Sequence, residues 1–130
     1  QYDQMMNWLI KSGEKTPLDI YRGSVAWGNY LDNEFEYYTN TSKTTATKNL
    51  GGTTIIASGA YEGAKANNIY DLAGNVYLWM LDGSDSPRFI RGGGYGSEGT
   101  NYYTCTSHRN TKLPYEGAYN LGAGTTLYIR

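Results

Sequence analysis

Apolar side chains at the start of the chain recur every three or four residues, which is the spacing of one helix face. Gly13 follows the last of them, where a helix often ends on a residue in the left-handed conformation. The pattern therefore predicts an amphipathic helix over residues 2–12. The apolar positions that define it are Tyr2, Met5, Met6, Trp8, Leu9 and Ile10.

The next part of the chain has no sustained period. Residues 17–49 predict loops with room for one short helix, and the Thr/Ser/Lys run at 39–48 is typical of a solvated segment. Residues 59–66 are rich in alanine and predict a helical turn. The sequence contains no internal repeat.

Strand signals dominate the second half. Tyr70, Leu72, Val76 and Trp79 fit a strand that is interrupted at 73–75, where glycine and asparagine give the backbone the freedom needed for a turn or bulge. Two further strands are predicted, at 89–91 and, closing the chain, at 126–129.

Residues 92–124 change in composition to Gly, Tyr, Ser, Thr and Asn, with Leu113 and Leu121 as the aliphatic exceptions. Such a stretch is not expected to supply much core. Tyrosines among small polar residues are typical of antibody paratopes, because tyrosine gives a large contact area and a hydroxyl at low entropic cost. An ordinary glycine-rich surface loop has the same composition, so both interpretations stay open.

Composition sets outer limits on function. The 130 residues fit a single domain, and its 39% hydrophobic content describes a folded chain. A net charge of −1 without a basic block lacks the electrostatic pattern of a nucleic-acid binder. No apolar run approaches the roughly 20 residues that cross a bilayer. Because the chain begins at Gln1, we expect it to be the C-terminal part of a longer protein.

Cys105 is the only cysteine, so the chain cannot form an internal disulfide. The simplest interpretation is a small buried side chain. A reactive thiol would need nearby cations to lower its pKa, and His108 and Arg109 are the candidates close in sequence.

A specific family resemblance rests on two segments. Residues 68–79 read NIYDLAGNVYLW, and residues 88–95 read RFIRGGGY. They resemble the Tyr-Asp-Leu/Met-Ala-Gly-Asn-Val-Trp-Glu-Trp strand and the Arg-Gly-Gly-Ser turn of C-type-lectin-like domains of the formylglycine-generating-enzyme type. The resemblance implies an α+β C-type-lectin-like fold, residues 1–130 forming one domain with short antiparallel strands, one or two helices and extensive loops.

The chain departs from the enzymes of that family. Tyr77-Leu78 stands where the family has Trp-Glu, and residues 122–124 replace its closing Gly-Phe-Arg. The cysteine pair that the enzymes use is reduced to Cys105, with Thr100 near the place of the other. One thiol cannot provide the two sulfur ligands that cuprous ion prefers. We therefore expect no catalytic residues and no metal or other cofactor. The alternative is an enzyme of the sulfatase-modifying, formylglycine-generating class or a degenerate relative of it.

Calcium-dependent sugar binding would need motifs of its own, since lectins of this fold use Glu-Pro-Asn and Trp-Asn-Asp. Neither motif occurs in the sequence. Asp82, Asp85 and Glu98 offer carboxylate ligands, but scattered carboxylates on loops are usually solvated.

The resemblance points instead to the variable proteins of diversity-generating retroelements, which carry sequence variation on a lectin-like scaffold. Adenine mutagenesis of AAC or AAT codons permits most residue types found between 90 and 120, and Cys105 and His108 would then be products of that variation. This implies a domain on a virion tail or cell surface that binds a host or microbial surface protein or glycan, with homo-oligomers possible. The expected ligand-binding residues are Tyr95, Ser97, Asn101, Tyr102, Tyr103, Ser107, His108, Tyr115, Tyr119 and Asn120. A structural domain without a specific ligand is the remaining alternative.

Overall fold

The structure, a computed structural model, describes residues 2–81 and 86–123 and mixes helices with short strands. Helix α1 (Tyr2–Lys11) and helix α2 (Pro17–Tyr21) come first, followed by a 3-10 turn at Ser24–Trp27. The predicted first helix is confirmed to within one residue. Gly13 follows it with φ of +76°. The α+β class is confirmed at this level.

Within residues 2–81 and 86–123, eight short strands follow, and they form three separate sheets. Strands β1 and β2 form a hairpin, β3 and β4 form a second one, and the third sheet has the order β7-β6-β5-β8. Within the third sheet β8 runs parallel to β5, and the other pairs are antiparallel. The strands are β1 (Phe35–Tyr38), β2 (Thr45–Lys48), β3 (Lys65–Ala66), β4 (Ile69–Tyr70), β5 (Tyr77–Trp79), β6 (Arg88–Arg91), β7 (Asn110–Lys112) and β8 (Leu121–Gly122).

Region 17–49 is more ordered than predicted, because β1 and β2 form a hairpin within it. The prediction that 39–48 is solvated is wrong at its end, where Lys48 is only 2% exposed. Its Nζ donates to the carbonyls of Tyr30 (2.7 Å) and Asn33 (2.6 Å), so two backbone acceptors compensate the buried ammonium. Burial lowers the pKa of Lys48 from its ordinary value, and the charges of Asp32 and Glu34 oppose that shift.

Two-residue turns with positive φ shape the centre of the chain. β3 and β4 are joined by Asn67 and Asn68, whose φ values are +47° and +64°. Asparagine is among the few residues that tolerate this conformation in a tight hairpin.

The predicted helical turn at 59–66 is confirmed as a 3-10 turn at Glu62–Ala64.

The predicted interruption at 73–75 is confirmed and separates β4 from β5. Gly74 and Asn75 have φ of +71° and +62°, and Asn75 is buried. Asn75 forms a buried amide pair with Asn29, whose Nδ2 donates to Asn75 Oδ1 at 3.1 Å. Asn75 also forms two hydrogen bonds with the main chain of Ile56. Its Oδ1 accepts from the Ile56 N–H at 3.1 Å, and its Nδ2 donates to the Ile56 carbonyl at 2.9 Å. These hydrogen bonds join the segments that contain Asn29, Ile56 and Asn75.

The main core is built from α1, α2, the 3-10 turn at Ser24–Trp27 and segments further along the chain. A smaller apolar cluster under the β1–β2 hairpin contains Phe35, Ile56 and Ala60. The buried members of the main core are Tyr2, Met6, Leu9, Ile20, Trp27, Tyr30, Ala66, Leu72 and Ala73.

The predicted strand at 89–91 is confirmed as β6, whereas the one at 126–129 lies outside the described residues. Residues 92–123 supply little of the core, as predicted: Tyr95 and Cys105 are their buried apolar side chains, and neither belongs to the two apolar clusters, while Thr106 is also fully buried. A thiol and a hydroxyl can fill a core when their polar atoms find partners. Among the described residues, no helix has the length and apolarity needed to span a membrane.

Candidate functional site

A loop over residues 101–108, the aromatic loop, is fixed to the core at its centre. Thr106 N donates to Ser24 Oγ at 3.0 Å, and the Thr106 carbonyl accepts from Tyr2 Oη at 3.2 Å. The hydroxyl groups of Thr106 and Tyr30 lie 3.3 Å apart. Cys105 Sγ lies 3.2 Å from the carbonyls of both Tyr21 and Tyr102. The middle of this loop is therefore a built part of the interior.

The residues on either side of that buried centre point outward. Tyr102 and Tyr103 are 56% and 68% exposed, and His108 is half-buried. Their rings meet edge to face, with centroids 5.5 Å apart for Tyr102–Tyr103, 6.1 Å for Tyr102–His108 and 5.7 Å for Tyr103–His108. We call these three residues the aromatic cluster. Edge-to-face packing is a favoured arrangement of aromatic pairs, so the cluster holds its own shape at the surface.

The aromatic cluster is uncharged near neutral pH. Burial, with a smaller contribution from the charge of Arg91, lowers the pKa of His108 below its ordinary 6.5. Neutral imidazole can both donate and accept a hydrogen bond. The surface offered here is therefore aromatic and hydrogen-bonding rather than ionic.

A second group of predicted residues lines a depression of about 300 Å³, the loop depression. Tyr95 is buried and contributes to its wall, whereas Tyr119 is 84% exposed at its edge. Ser97 Oγ lies 3.1 Å from the hydroxyl of Tyr77, which sets its position. Asn120 completes the set, and its carbonyl accepts from Tyr77 N at 2.8 Å.

The remaining predicted residues lie outside these two groups. Asn101 is exposed, but its Oδ1 accepts from Tyr103 N at 2.9 Å and so shapes the aromatic loop. Ser107 Oγ lies 3.4 Å from Cys105 Sγ. Tyr115 is 80% exposed in the turn after β7. Of the ten predicted residues, seven thus fall into the aromatic cluster (Tyr102, Tyr103, His108) and the loop depression (Tyr95, Ser97, Tyr119, Asn120).

Asp32 fixes the segment that leads into the aromatic loop. One carboxylate oxygen accepts from Gly99 N at 2.7 Å, and the other accepts from Thr100 N at 3.2 Å and Thr100 Oγ1 at 2.7 Å. Desolvation alone would raise the pKa of Asp32, but these hydrogen bonds favour the ionised form, and the net effect is a pKa below the ordinary 3.8. Asp32 is therefore ionised at neutral pH and acts as a clamp.

We expect Asp32→Ala to lower the free energy of unfolding by about 2 kcal/mol at neutral pH, since it removes hydrogen bonds to a charged acceptor. Because the folded pKa of Asp32 is depressed, this stabilisation is present above pH about 4 and is lost as pH falls through the folded pKa. Urea unfolding of both proteins between pH 7 and pH 2.5 measures the difference. A difference that stays constant over this range would contradict the clamp.

Arg91, the arginine of the Arg-Gly-Gly segment, links helix α1 to the sheet. The Arg91 guanidinium pairs with Asp3 on α1 and lies 4.8 Å from the Tyr2 ring centroid. Arg109 contacts the other oxygen of Asp3 at 3.0 Å and lies 4.7 Å from the Phe89 ring centroid. Only 6% of the Arg91 side chain is exposed. These contacts join α1 to the four-stranded sheet.

The positions that the resemblance relates to an oxidase centre are engaged in holding loops. Cys105 is fully buried, which confirms the simplest interpretation of the lone cysteine and does not fit a freely variable position. Thr100 is bound to Asp32. Within residues 2–81 and 86–123 no group of three or more His, Cys, Asp or Glu side chains is placed to hold a metal ion. Of the calcium candidates, Glu98 is exposed, and Asp82 and Asp85 lie outside the described residues.

Two residues of this region carried no sequence signal. Thr53, which is exposed, lines the loop depression from a distant loop, and Asp32 reaches Gly99 and Thr100 from the end of the first quarter of the chain. Both come from irregular segments in which neither periodicity nor a motif marks them.

Comparison of the chain with protein-family models, with curated proteins and with solved structures finds no significant match in any of the three.

Proposed function

We propose that this chain is a ligand-binding domain that recognises a host or microbial surface protein or glycan through its tyrosine-rich loops. The observation that carries the proposal is the aromatic cluster, three rings in mutual contact on a loop whose centre is buried. Rigid exposed tyrosines bind at low entropic cost, because little freedom is left to lose. A binding domain explains why a folded chain keeps such rings in water.

The loop depression supports the same proposal. It contributes two tyrosines, a serine and an asparagine, so hydroxyl and amide groups lie beside aromatic rings. This mixture suits recognition by stacking and hydrogen bonding, without dependence on charge. The proposed setting is a lectin-like variable or receptor-binding protein on a virion tail or cell surface.

The direct test replaces Tyr102, Tyr103 and Tyr119 together with alanine. Fluorescently labelled protein is applied to a glycan array and to a panel of bacterial cells, with saturation curves for each positive surface. We expect the triple variant to bind at least about a hundredfold more weakly, because central aromatic residues of an interface each contribute roughly 2 kcal/mol or more.

The matched control replaces two exposed apolar residues outside the candidate surface, Trp8 (47% exposed) and Leu81 (89% exposed), with alanine. This double variant should bind like the original chain. Equal binding by the triple variant, or no binding by the original chain to any surface in the panel, would contradict the proposal.

The class of binding protein has a genomic test. A variable protein of a diversity-generating retroelement requires a neighbouring reverse transcriptase and a near-copy of the coding sequence for residues 90–126 that differs at adenines. Sequencing of the neighbourhood would overturn this assignment if both were missing, and the array experiment would still test binding by itself.

A further inference from the structure

A groove of about 170 Å³ lies away from the tyrosine-rich loops, between the β1–β2 hairpin and the 3-10 turn at Glu62–Ala64. It shares no residue with the aromatic cluster or the loop depression. Drug-sized ligands occupy pockets of roughly 300–1,000 Å³, so this groove admits a single group of side-chain size. Its polar and aromatic lining residues are Glu36, Tyr37, Tyr38, Thr45, Tyr61 and Glu62.

The aromatic wall of the groove is held in place before any ligand arrives. Tyr61 stacks on Phe35 with a centroid distance of 3.9 Å and an interplanar angle of 16°, and Tyr37 meets Phe35 edge to face at 6.3 Å. Gly63 leaves room for the Tyr61 ring, since a Cβ there would collide with Tyr61 Cζ and lie 2.6 Å from Cε2. The ring orientation is thus set by both neighbours.

Two carboxylates flank these rings. Glu36 and Glu62 are exposed, and among the described residues neither forms a salt bridge. Glu62 Oε2 accepts from the Tyr70 hydroxyl at 3.2 Å, which orients this carboxylate without neutralising it. The groove therefore combines tyrosine rings with two carboxylates that form no salt bridge among the described residues.

Rings of this region already attract ammonium groups of the chain itself. Lys43 Nζ lies 5.3 Å from the centroid of Tyr38, a lining residue, and Lys65 Nζ lies 5.8 Å from that of Tyr70. These distances fall within the range of cation–π attraction. Carboxylates and ring faces both favour a cation over a neutral group of the same shape.

We propose that this groove binds an alkylammonium group. The tyrosine rings contact its carbon-bound surface, and Glu36 and Glu62 supply the counter-charge. Binding here is independent of the tyrosine-rich loops, since no residue is shared between the two surfaces.

The test is a titration of the ¹⁵N-labelled full chain, followed by amide chemical shifts at constant ionic strength. The probes are choline chloride, n-butylammonium chloride and the neutral isostere 3,3-dimethyl-1-butanol. We expect saturable shifts at residues 36–38 and 60–62 with at least one cation and none with the alcohol. A preference for choline indicates a quaternary group, and a preference for n-butylammonium indicates a lysine-like one. Equal shifts with the alcohol, or no saturable shift with either cation, overturn the proposal.

Variants separate the two contributions. Glu36→Gln with Glu62→Gln should weaken cation binding about tenfold, because ion pairs at exposed sites are individually weak. Glu98→Gln removes an exposed carboxylate outside the groove and should leave the affinity unchanged. Gly63→Ala displaces the Tyr61 ring, which is the movable partner in that collision, and should also weaken binding in a chain that still folds. Unchanged affinity in the double glutamine variant overturns the role of the carboxylates and with it the proposal.

Discussion

Replacing Asn75 with alanine is expected to lower the free energy of unfolding by about 4 kcal/mol. The change leaves the N–H and carbonyl of Ile56 without their side-chain partner in the interior, and each buried unsatisfied group costs about 1–3 kcal/mol. Position 75 also has φ of +62°, a left-handed conformation that asparagine can support with a local side-chain hydrogen bond and alanine cannot. This strain lowers the free energy of unfolding by about 1 kcal/mol more.

Asn68 provides a matched control, because it has a similar φ of +64° but is exposed. Asn68→Ala should cost only about 1 kcal/mol, the backbone contribution. Asn75→Gly should fall between the two, since it relieves the backbone but still removes the buried hydrogen bonds. Urea unfolding followed by far-UV circular dichroism measures all three. Equal losses for Asn75→Ala and Asn68→Ala would show that the buried amide pair contributes nothing.

The second large effect is expected at Gly93, where alanine should cost about 3 kcal/mol. Gly93 has φ of +77°, and a Cβ there would collide with the carbonyl oxygen of Thr104 and lie 2.6 Å from Cε1 of Tyr30. The backbone conformation costs an L-residue about 1–2 kcal/mol, and overpacking of a filled interior typically adds 1–3 kcal/mol. Since Tyr30 is fully buried, its ring has little space to move.

Gly13→Ala separates these two contributions. Gly13 has nearly the same φ, +76°, and its Cβ would meet nothing within 4 Å. We expect this variant to lose about 1 kcal/mol in the same urea experiment. Because Thr104 belongs to the aromatic loop, Gly93→Ala should also shift the amide resonances of Tyr102 and Tyr103, whereas Gly13→Ala should not. Similar stability losses for both variants would contradict the close approach at Gly93.

Local signals explain which elements could be predicted. Helix α1 depends on a 3.6-residue period contained within its own ten residues, so the sequence alone was sufficient. Strand β2 has no apolar side chain larger than alanine, and its buried residue is Lys48. The carbonyls that stabilise this lysine belong to Tyr30 and Asn33, which are 18 and 15 residues away. The pattern of hydrophobic positions cannot predict hydrogen-bond partners that are this distant in sequence.

In the candidate site, too, features that depend on local composition could be predicted and features that depend on distant contacts could not. Composition predicted exposed tyrosines at 102, 103, 115 and 119, and they are exposed. It did not predict that Tyr95 would be buried, because burial there depends on neighbours that are distant in sequence. Nor did it predict the anchor at Cys105 and Thr106, which rests on contacts to Tyr2, Tyr21, Ser24 and Tyr30.

The buried centre of the aromatic loop also governs which positions can change over evolutionary time. Tyr102 and Tyr103 contribute side chains to the surface, while the hydrogen bonds that hold the loop come from Asn101, Thr104, Cys105, Thr106 and the main chain. Both rings are more than half exposed and contact each other and His108, and surface substitutions usually change stability by no more than about 0.5 kcal/mol. Tyr102 and Tyr103 can thus be exchanged at little cost to folding, whereas Cys105 and Thr106 cannot. The surface for which we propose recognition is therefore also the part of this loop that tolerates substitution, while the interior beneath it stays fixed.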